Sequence, residues 1–207
     1  SMIEERAEKI LSDKKLPFLI GGEHLVTLGA LRAVFCAHPD LVVIHFDAHT
    51  DLRDEYLGVK LSHASVIRRV WDLLGDDRIY QFGIRSGERA EWKWAQEGHT
   101  KLTQFDFTGL EAVLKKIEGK PVYFTIDLDV LDPAYFPGTG TPEAGGVTFL
   151  DLLGAARKVI SCANVVACDL VELAPLLDAS GVSTAVALKL LREMLLMQEL
   201  SFLRPKK

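Results

Sequence analysis

Cysteine is scarce in this sequence, which has three cysteines among 207 residues and no C-x-x-C pair. An odd number of cysteines without such a pair argues against a disulfide framework and against a thiolate metal site. Cys162 and Cys168 lie in an apolar, strand-like stretch, so we expect both to be buried, reduced thiols. No apolar run approaches the length of about 18 residues that a membrane span needs, and the charged amino end shows no secretory leader.

Positive charge is not in excess either. The 24 Lys and Arg residues stand against 29 Asp and Glu residues, which gives a net charge of −5. This balance argues against a nucleic-acid-binding protein. With reduced thiols, no membrane span and no leader, the sequence predicts a cytoplasmic protein. A hydrophobic content of 48% is typical of globular proteins, and the length is most simply that of one domain over residues 1–207.

Strand-like and helix-like segments alternate along the chain. Short β-branched or aromatic runs predict six strands, and longer amphipathic segments predict the helices between them. The predicted strands are 17–20, 41–46, 79–84, 102–105, 122–126 and 165–171. The predicted helices are 3–11, 25–35, 64–74, 89–97, 110–117, 149–160 and 184–197. This alternation predicts an α/β domain with a mainly parallel sheet.

The strand predicted at 41–46 runs directly into three metal-competent side chains. Asp47, His49 and Asp51 are spaced two residues apart, so an extended backbone would direct them to the same side. Such groups at the mouth of a buried strand are costly to desolvate unless something pairs with them, and a divalent cation would do so. The alternative for this segment by itself is a solvated loop at a strand end.

The other predicted strands end in similar residues. Strand 17–20 is followed by His24, strand 122–126 by Asp127 and Asp129, and strand 165–171 by Glu172. In open α/β sheets, ligands bind beyond the carboxyl ends of the strands. Four strand ends are therefore predicted to deliver acids and histidines to one edge of the sheet.

The number of candidate ligands favours two metal ions over one. Two imidazoles and four carboxylates overfill a single small cation, and four carboxylates need roughly two divalent charges for balance. The candidate ligands are His24, Asp47, His49, Asp51, Asp127 and Asp129. Bridging by Asp47 and Asp127 could bring each of them into contact with both ions. Oxygen-rich ligation without thiolate suits Mn²⁺ better than a structural zinc site.

Three of these segments together resemble the signature motifs of the ureohydrolase family, which includes arginase, agmatinase, guanidinobutyrase and formimidoylglutamase. They are residues 21–24 (GGEH), 47–51 (DAHTD) and 127–133 (DLDVLDP). The resemblance covers essentially the whole chain, with the motifs in the family's order. It implies a three-layer α/β/α fold and a binuclear manganese centre, with two Mn²⁺ per chain, that hydrolyses guanidino compounds.

The resemblance also implies roles for individual residues. His24, Asp47, Asp51 and Asp127 would bind one Mn²⁺, and His49, Asp47, Asp127 and Asp129 would bind the other. Asp51 would accept a hydrogen bond from the attacking hydroxide.

Two further residues receive catalytic and substrate-binding roles from the same comparison. His63 would relay protons to the leaving amine, and Glu172 would pair with the substrate guanidinium. Ala64 stands where the family usually has glycine. Asp169 is expected to be structural or to orient a ligand, whereas His38, His45 and His99 receive no role.

Two features favour agmatine among the guanidino substrates. The GTGTP string at 138–142, within a loop rich in Gly and Pro, is more similar to agmatinases than to arginases. Arg53 stands where arginases place an asparagine that recognises an α-amino acid. The resemblance thus implies hydrolysis of agmatine to putrescine and urea. The alternatives are another ureohydrolase specificity, or a weakly active or inactive metal-binding remnant.

The resemblance further implies a homo-oligomer, and the chain differs from the family at its amino-terminal end. Family members form homo-oligomers, either trimers or hexamers, and they carry an additional amino-terminal segment that includes a strand of the sheet. This chain begins after that segment. We therefore expect a missing central strand, with unpaired neighbours that promote self-association.

Overall fold

The computed structural model describes residues 1–203, which form seven α-helices and six strands. The helices are α1 (Met2–Ser12), α2 (Val26–Ala37), α3 (Val66–Leu74), α4 (Arg89–Gln96), α5 (Leu110–Lys116), α6 (Phe149–Cys162) and α7 (Val182–Leu203). The strands are β1 (Phe18–Ile20), β2 (Val42–Phe46), β3 (Ile79–Ile84), β4 (Lys101–Gln104), β5 (Pro121–Asp127) and β6 (Asn164–Val171). Every predicted element is confirmed, with ends that shift by a few residues. None of these helices is both long enough and apolar enough to cross a bilayer.

The six strands form one parallel sheet in the order β1-β6-β5-β2-β3-β4. Each strand pairs with its neighbours without a gap, so the expectation that a strand is missing from inside the sheet is wrong for residues 1–203. A further strand could pair only at the outer edge of β1 or of β4. The parallel arrangement brings the carboxyl ends of β1, β6, β5 and β2 together at one edge.

Both faces of the sheet are covered by helices, which confirms the three-layer α/β/α prediction. Along β2, Val42 and Ile44 pack into the core beneath α5, α6 and α7. Val43, between them, packs into the core beneath α1, α2 and α3. All five residues of β2 are buried, as a strand enclosed on both faces requires. The centre of the sheet is therefore rigidly enclosed where β2 passes into the predicted ligands.

The two cysteines expected to be buried differ in their surroundings. Cys168 lies within β6 and is buried, as expected. Cys162 is the last residue of α6 and is exposed, so that expectation is wrong. β6 begins two residues later, at Asn164, so Cys162 lies at the end of the helix and outside the buried strand.

Gly83 allows β3 to approach the turn after β5. Its φ of +86° lies in the left-handed region, and it coincides with a β-bulge opposite β4. A Cβ at this position would lie 2.5 Å from Cγ2 of Val130 and 3.1 Å from the backbone oxygen of Asp47. A side chain here would therefore displace the backbone that carries the predicted ligands.

We predict that Gly83→Ala destabilises the chain more than Gly109→Ala. Gly109 has a φ of +83° but open space around its missing Cβ, so alanine there costs only the backbone strain of about 1–2 kcal/mol. At Gly83 the collision with Val130 adds to that strain, and we expect a loss of roughly 3 kcal/mol or more. Urea denaturation of both variants measures the difference, and equal losses would show that the close approach is not a constraint.

Candidate metal centre and substrate cavity

The predicted ligands lie at the carboxyl edge of the sheet, beyond four adjacent strands. His24 follows β1, and Asp47 is the first residue after β2. Asp127 is the last residue of β5, and Glu172 is the first after β6. The structure thus brings together side chains that are up to 148 positions apart in the sequence, as the backbone hydrogen bond from His24 to Glu172 shows directly.

The imidazole of His24 is surrounded by carboxylate oxygens. Its Nδ1 lies 3.2 Å from Oδ2 of Asp51, 3.2 Å from Oδ2 of Asp127 and 3.4 Å from Oδ2 of Asp47. This Nδ1 atom is fully buried but makes no hydrogen bond. Its other nitrogen, Nε2, is 3.0 Å from Oγ1 of Thr125, which fixes the orientation of the ring. A buried nitrogen facing three carboxylates without a hydrogen bond is the arrangement expected of metal ligands.

A second group lies beside the first and shares Asp47 with it. The Nδ1 of His49 is 3.0 Å from Oδ2 of Asp129 and 3.4 Å from Oδ1 of Asp47. The backbone N–H of Ala48 donates to the other oxygen of Asp129 at 3.1 Å. The N–H of Asp129 in turn donates to Asp127 at 2.9 Å. These backbone bonds hold the carboxylates in place whether or not a cation is bound.

Burial and the neighbouring charges shift the pKa values of the carboxylates strongly. It raises the pKa of Asp51 to about 7, with the charge of Asp47 adding to the effect. Burial, together with repulsion from Asp129 and Asp47, also raises the pKa of Asp127 well above its usual range. For Asp47, burial alone would raise the pKa, but the imidazoles around it outweigh burial and hold that pKa well below its usual range.

The donor set fits divalent cations. Within residues 1–203, no Lys or Arg side chain forms an ion pair with any of the four aspartates. Their charge is met only by imidazoles, and burial of uncompensated carboxylates costs several kcal/mol each. Two ligand groups that share a carboxylate can accept two ions. The six predicted ligands are therefore brought together as the sequence indicated.

Sequence reasoning missed His45, which belongs to the same cluster. Its Nε2 lies 2.7 Å from Oδ2 of Asp47, while Gln81 donates to its Nδ1 at 3.1 Å. Since Nδ1 accepts, Nε2 carries the proton and donates to Asp47. Burial lowers the pKa of His45, which keeps the ring neutral. His45 thus orients the ligand Asp47. Its position two residues before Asp47, on the same side of the strand, was the sequence signal that could have indicated this role.

Asp169 was expected to be structural or to orient a ligand. It is fully buried in β6 and accepts hydrogen bonds from Oγ1 of Thr27 at 2.8 Å and from the hydroxyl of Tyr123 at 2.7 Å. These bonds tie α2 and β5 to β6 below the ligand cluster. The contacts correspond to the structural expectation.

A cavity of about 400 Å³ opens above the aspartates. Asp51 and Asp127 lie on its floor, and His63 and Glu172 line its wall. Asp51 has a φ of +54° and Glu172 a φ of +65°, conformations that non-glycine residues adopt at a cost and that cluster at functional sites. A larger groove of about 990 Å³ between α5 and α6 contains none of the predicted site residues.

The residues predicted to contact substrate differ in how firmly they are held. Oε1 of Glu172 accepts the backbone N–H of His24 at 2.7 Å, and burial raises the pKa of this carboxyl. His63 opens a short 3₁₀ helix, half exposed, with Nδ1 3.6 Å from Oε1 of Glu23 and its ring against Tyr56. Glu172 is thus anchored, whereas His63 retains freedom to move at the mouth.

Arg53 lines the cavity, but its charge is already paired. Its Nη2 lies 3.1 Å from Oε1 of Glu88, its Nε lies 3.7 Å from Oε2 of Glu91, and its guanidinium stacks over Tyr56. Glu143, by contrast, has no Lys or Arg partner among residues 1–203, and its Oε1 accepts from Oγ of Ser86. The cavity therefore has an excess of negative charge at its rim.

Comparison with known proteins gives a consistent set of relatives. The sequence model described as "Arginase family" matches residues 1–197. An agmatinase of Bacillus anthracis is 51% identical over 197 residues, which cover 94% of this chain and 68% of that protein. An agmatinase of Bacillus subtilis (strain 168) is 48% identical with the same coverage. A solved structure of a candidate agmatinase from Clostridium difficile superposes with a TM-score of 0.92 at 50% identity, covering 97% of this chain and 73% of that one.

We predict that Asp127→Ala abolishes most divalent metal binding. The change removes the oxygen that faces His24 and the acceptor that orients Asp129, and it leaves the other carboxylates without a shared cation. Elemental analysis after dialysis against Mn²⁺ should show a large fall relative to the wild type. The exposed Asp106→Ala is the matched control and should retain the metal. An unchanged metal content in Asp127→Ala would contradict the assignment.

Proposed function

The chain belongs to the arginase family, and from that premise we propose that it is an agmatinase-type ureohydrolase that converts agmatine to putrescine and urea. One observation carries the proposal. Asp51 and His49, one from each of the two ligand groups that share Asp47, line the same cavity whose wall presents Glu172. A centre that activates water then lies beside a carboxylate able to bind a guanidinium.

The metal ligands are proposed as two overlapping sets. His24, Asp47, Asp51 and Asp127 would hold one ion, and His49, Asp47, Asp127 and Asp129 the other. The excess of carboxylate oxygen over imidazole supports Mn²⁺. Two such ions would supply Lewis-acid activation of water at neutral pH.

Glu172 binds and orients the substrate in this proposal. A planar guanidinium presents paired N–H donors, which a carboxylate accepts along both oxygens. The bond from the His24 N–H fixes one of these oxygens in place, so the guanidinium meets a preorganised acceptor. The guanidino carbon is thereby held next to Asp51, whose carboxylate accepts a hydrogen bond from the attacking water.

His63 completes the reaction by supplying a proton to the leaving amine. An imidazole can take up a proton at one ring nitrogen and release one from the other, which suits a proton relay. Its place at the mouth, against Tyr56 and within 3.6 Å of Glu23, gives it access to both the substrate and solvent. A protonated amine is a good leaving group, so C–N cleavage then releases urea and putrescine.

Charge at the rim of the cavity supports agmatine as the substrate. Agmatine carries an ammonium at the end opposite its guanidinium, whereas guanidino acids carry a carboxylate there. Arg53 is engaged by Glu88 and Glu91, so its guanidinium is not free to pair with such a carboxylate. Glu143, which has no Lys or Arg partner among residues 1–203, instead offers negative charge at the rim.

We also propose a homo-oligomer, as the resemblance implies. Leucines of α7 remain exposed in the single chain, among them Leu188 and Leu200, each 60% exposed. Apolar side chains on the outer face of a helix that is also buried along its inner face support association between copies. Whether the assembly is a trimer or a hexamer stays a prediction.

Urea release from a panel of guanidino compounds, assayed with Mn²⁺, tests the proposal. We expect agmatine to be hydrolysed with a higher kcat/KM than 4-guanidinobutyrate or arginine, because only agmatine has a far end that carries an ammonium without a carboxylate. Faster hydrolysis of a compound with a carboxylate at its far end would make that compound, instead of agmatine, the proposed substrate. No urea from any member would overturn the ureohydrolase proposal.

We predict that Glu172→Gln lowers kcat/KM by about 10–100-fold, since it removes one charge-assisted pairing of about 1.5–3 kcal/mol. Glutamine can still accept the His24 N–H, so bound metal should stay at the wild-type level. The exposed Glu118→Gln serves as the control and should behave as wild type. A collapse of the metal content in Glu172→Gln would instead make Glu172 a ligand or a determinant of the fold.

A further inference from the structure

The guanidinium of Arg85 is bonded to backbone carbonyls rather than to carboxylates. Arg85 follows β3 directly and is half buried. Its Nη2 donates to the carbonyl of Asp129 at 2.7 Å and to that of Glu143 at 2.8 Å. Its donors together reach five carbonyl oxygens, those of Gly83, Asp129, Val130, Leu131 and Glu143. Within residues 1–203, Arg85 forms no ion pair with a carboxylate, although Asp129 lies close by.

These carbonyls belong to two segments with different tasks. Residues 128–131, the metal turn, follow β5 and carry the ligand Asp129. Residues 141–143, the rim, line the cavity. Arg85 lies between them, and the same Nη2 atom donates to both. One side chain therefore joins a segment that carries a metal ligand to a segment that faces the substrate.

Several backbone contacts hold the base of the loop that carries the rim. The N–H groups of Gly145 and Gly146 donate to Oδ2 of Asp132, and Val147 forms a β-bridge with Leu131. At the tip, Oγ1 of Thr141 donates to Oδ2 of Asp129 at 3.3 Å, and Oγ of Ser86 donates to Oε1 of Glu143 at 3.0 Å. Those two bonds hold side chains, whereas the two bonds from Arg85 hold the backbone carbonyl of Glu143.

The chemistry of the contact requires arginine. A guanidinium offers five N–H donors in a rigid plane, so it can bond to carbonyls that point at it from opposite sides. The ammonium of lysine has three donors on one atom, so it cannot replace the bonds to all five carbonyls. The loop also passes close to the guanidinium, since a Cβ on Gly146 would lie 2.7 Å from Nη2 of Arg85.

We propose that Arg85 is a positioning residue that fixes the metal turn and the rim to each other, so that metal affinity and substrate affinity both depend on it. It touches neither a ligand atom nor the reacting atoms. Its effect passes through the backbone of Asp129 to the metal and through that of Glu143 to the substrate. The substrate half of this statement rests on the proposed function, and the metal half does not.

Arg85→Lys tests the proposal against a purely structural role. We expect the Kd for Mn²⁺ to rise by ~10–100-fold, the size of effect seen when groups that orient metal ligands are lost. With saturating Mn²⁺, KM for agmatine should remain raised while kcat recovers. Hydrogen exchange should accelerate in residues 128–131 and 141–143. Arg78→Lys is the matched control, because Arg78 also donates to a backbone carbonyl, that of Pro39, far from the site.

A loss of thermal stability in Arg85→Lys with unchanged Kd for Mn²⁺ and unchanged local exchange would overturn the proposal. If that variant does not fold, the wild type still tests the proposal. The proposed coupling requires that Mn²⁺ binding slow hydrogen exchange at the rim as well as at the metal turn. Protection confined to residues 128–131 would contradict the coupling. Mn²⁺ titration and hydrogen exchange need no turnover, so both measurements test the metal half of the proposal even if the wild type releases no urea.

Discussion

Burial of four aspartates at one edge of a parallel sheet is the constraint on which the rest of this structure depends. Asp47, Asp51, Asp127 and Asp129 each expose 6% of their surface or less. Carboxylates at that depth are tolerated only if cations or hydrogen-bond donors compensate them. Within residues 1–203, only histidines form ion pairs with them, and backbone N–H groups add single hydrogen bonds. A nitrogen of His24 faces three of them without a hydrogen bond. Divalent ions bound by these groups would supply the missing compensation.

The sheet is built to hold these groups where ions can reach them. β2 is buried on both faces and ends at Phe46, directly before Asp47, while the adjacent β5 ends at Asp127. Gly83 lets the neighbouring β3 approach the turn that follows β5, and Arg85, two residues later, bonds to that turn. Backbone N–H groups orient two of the carboxylates at this edge, since that of Ala48 donates to Asp129 and that of His24 donates to Glu172. Such preorganisation keeps the ligands in place before the ions bind.

Sequence patterns could predict the strands and their terminal acids because both are local signals. Alternation of elements, apolar runs and the spacing of Asp47, His49 and Asp51 all lie within short windows. His45 was missed since an imidazole inside an apolar run carries no visible partner, although it shares its side of β2 with Asp47. Arg85 could not be found because its partners are backbone carbonyls, which no sequence pattern displays. The expectation of a gap in the sheet was wrong because the order of the strands depends on the topology of the chain.

The most direct test of a binuclear centre is a crystal structure of the Mn²⁺-loaded chain, with anomalous differences recorded at the manganese edge. The account predicts two anomalous peaks roughly 3.5–4 Å apart. Carboxylates of Asp47 and Asp127 should lie between them, with His24 on one ion and His49 on the other. A single peak, or two peaks that Asp127 does not contact, would contradict it.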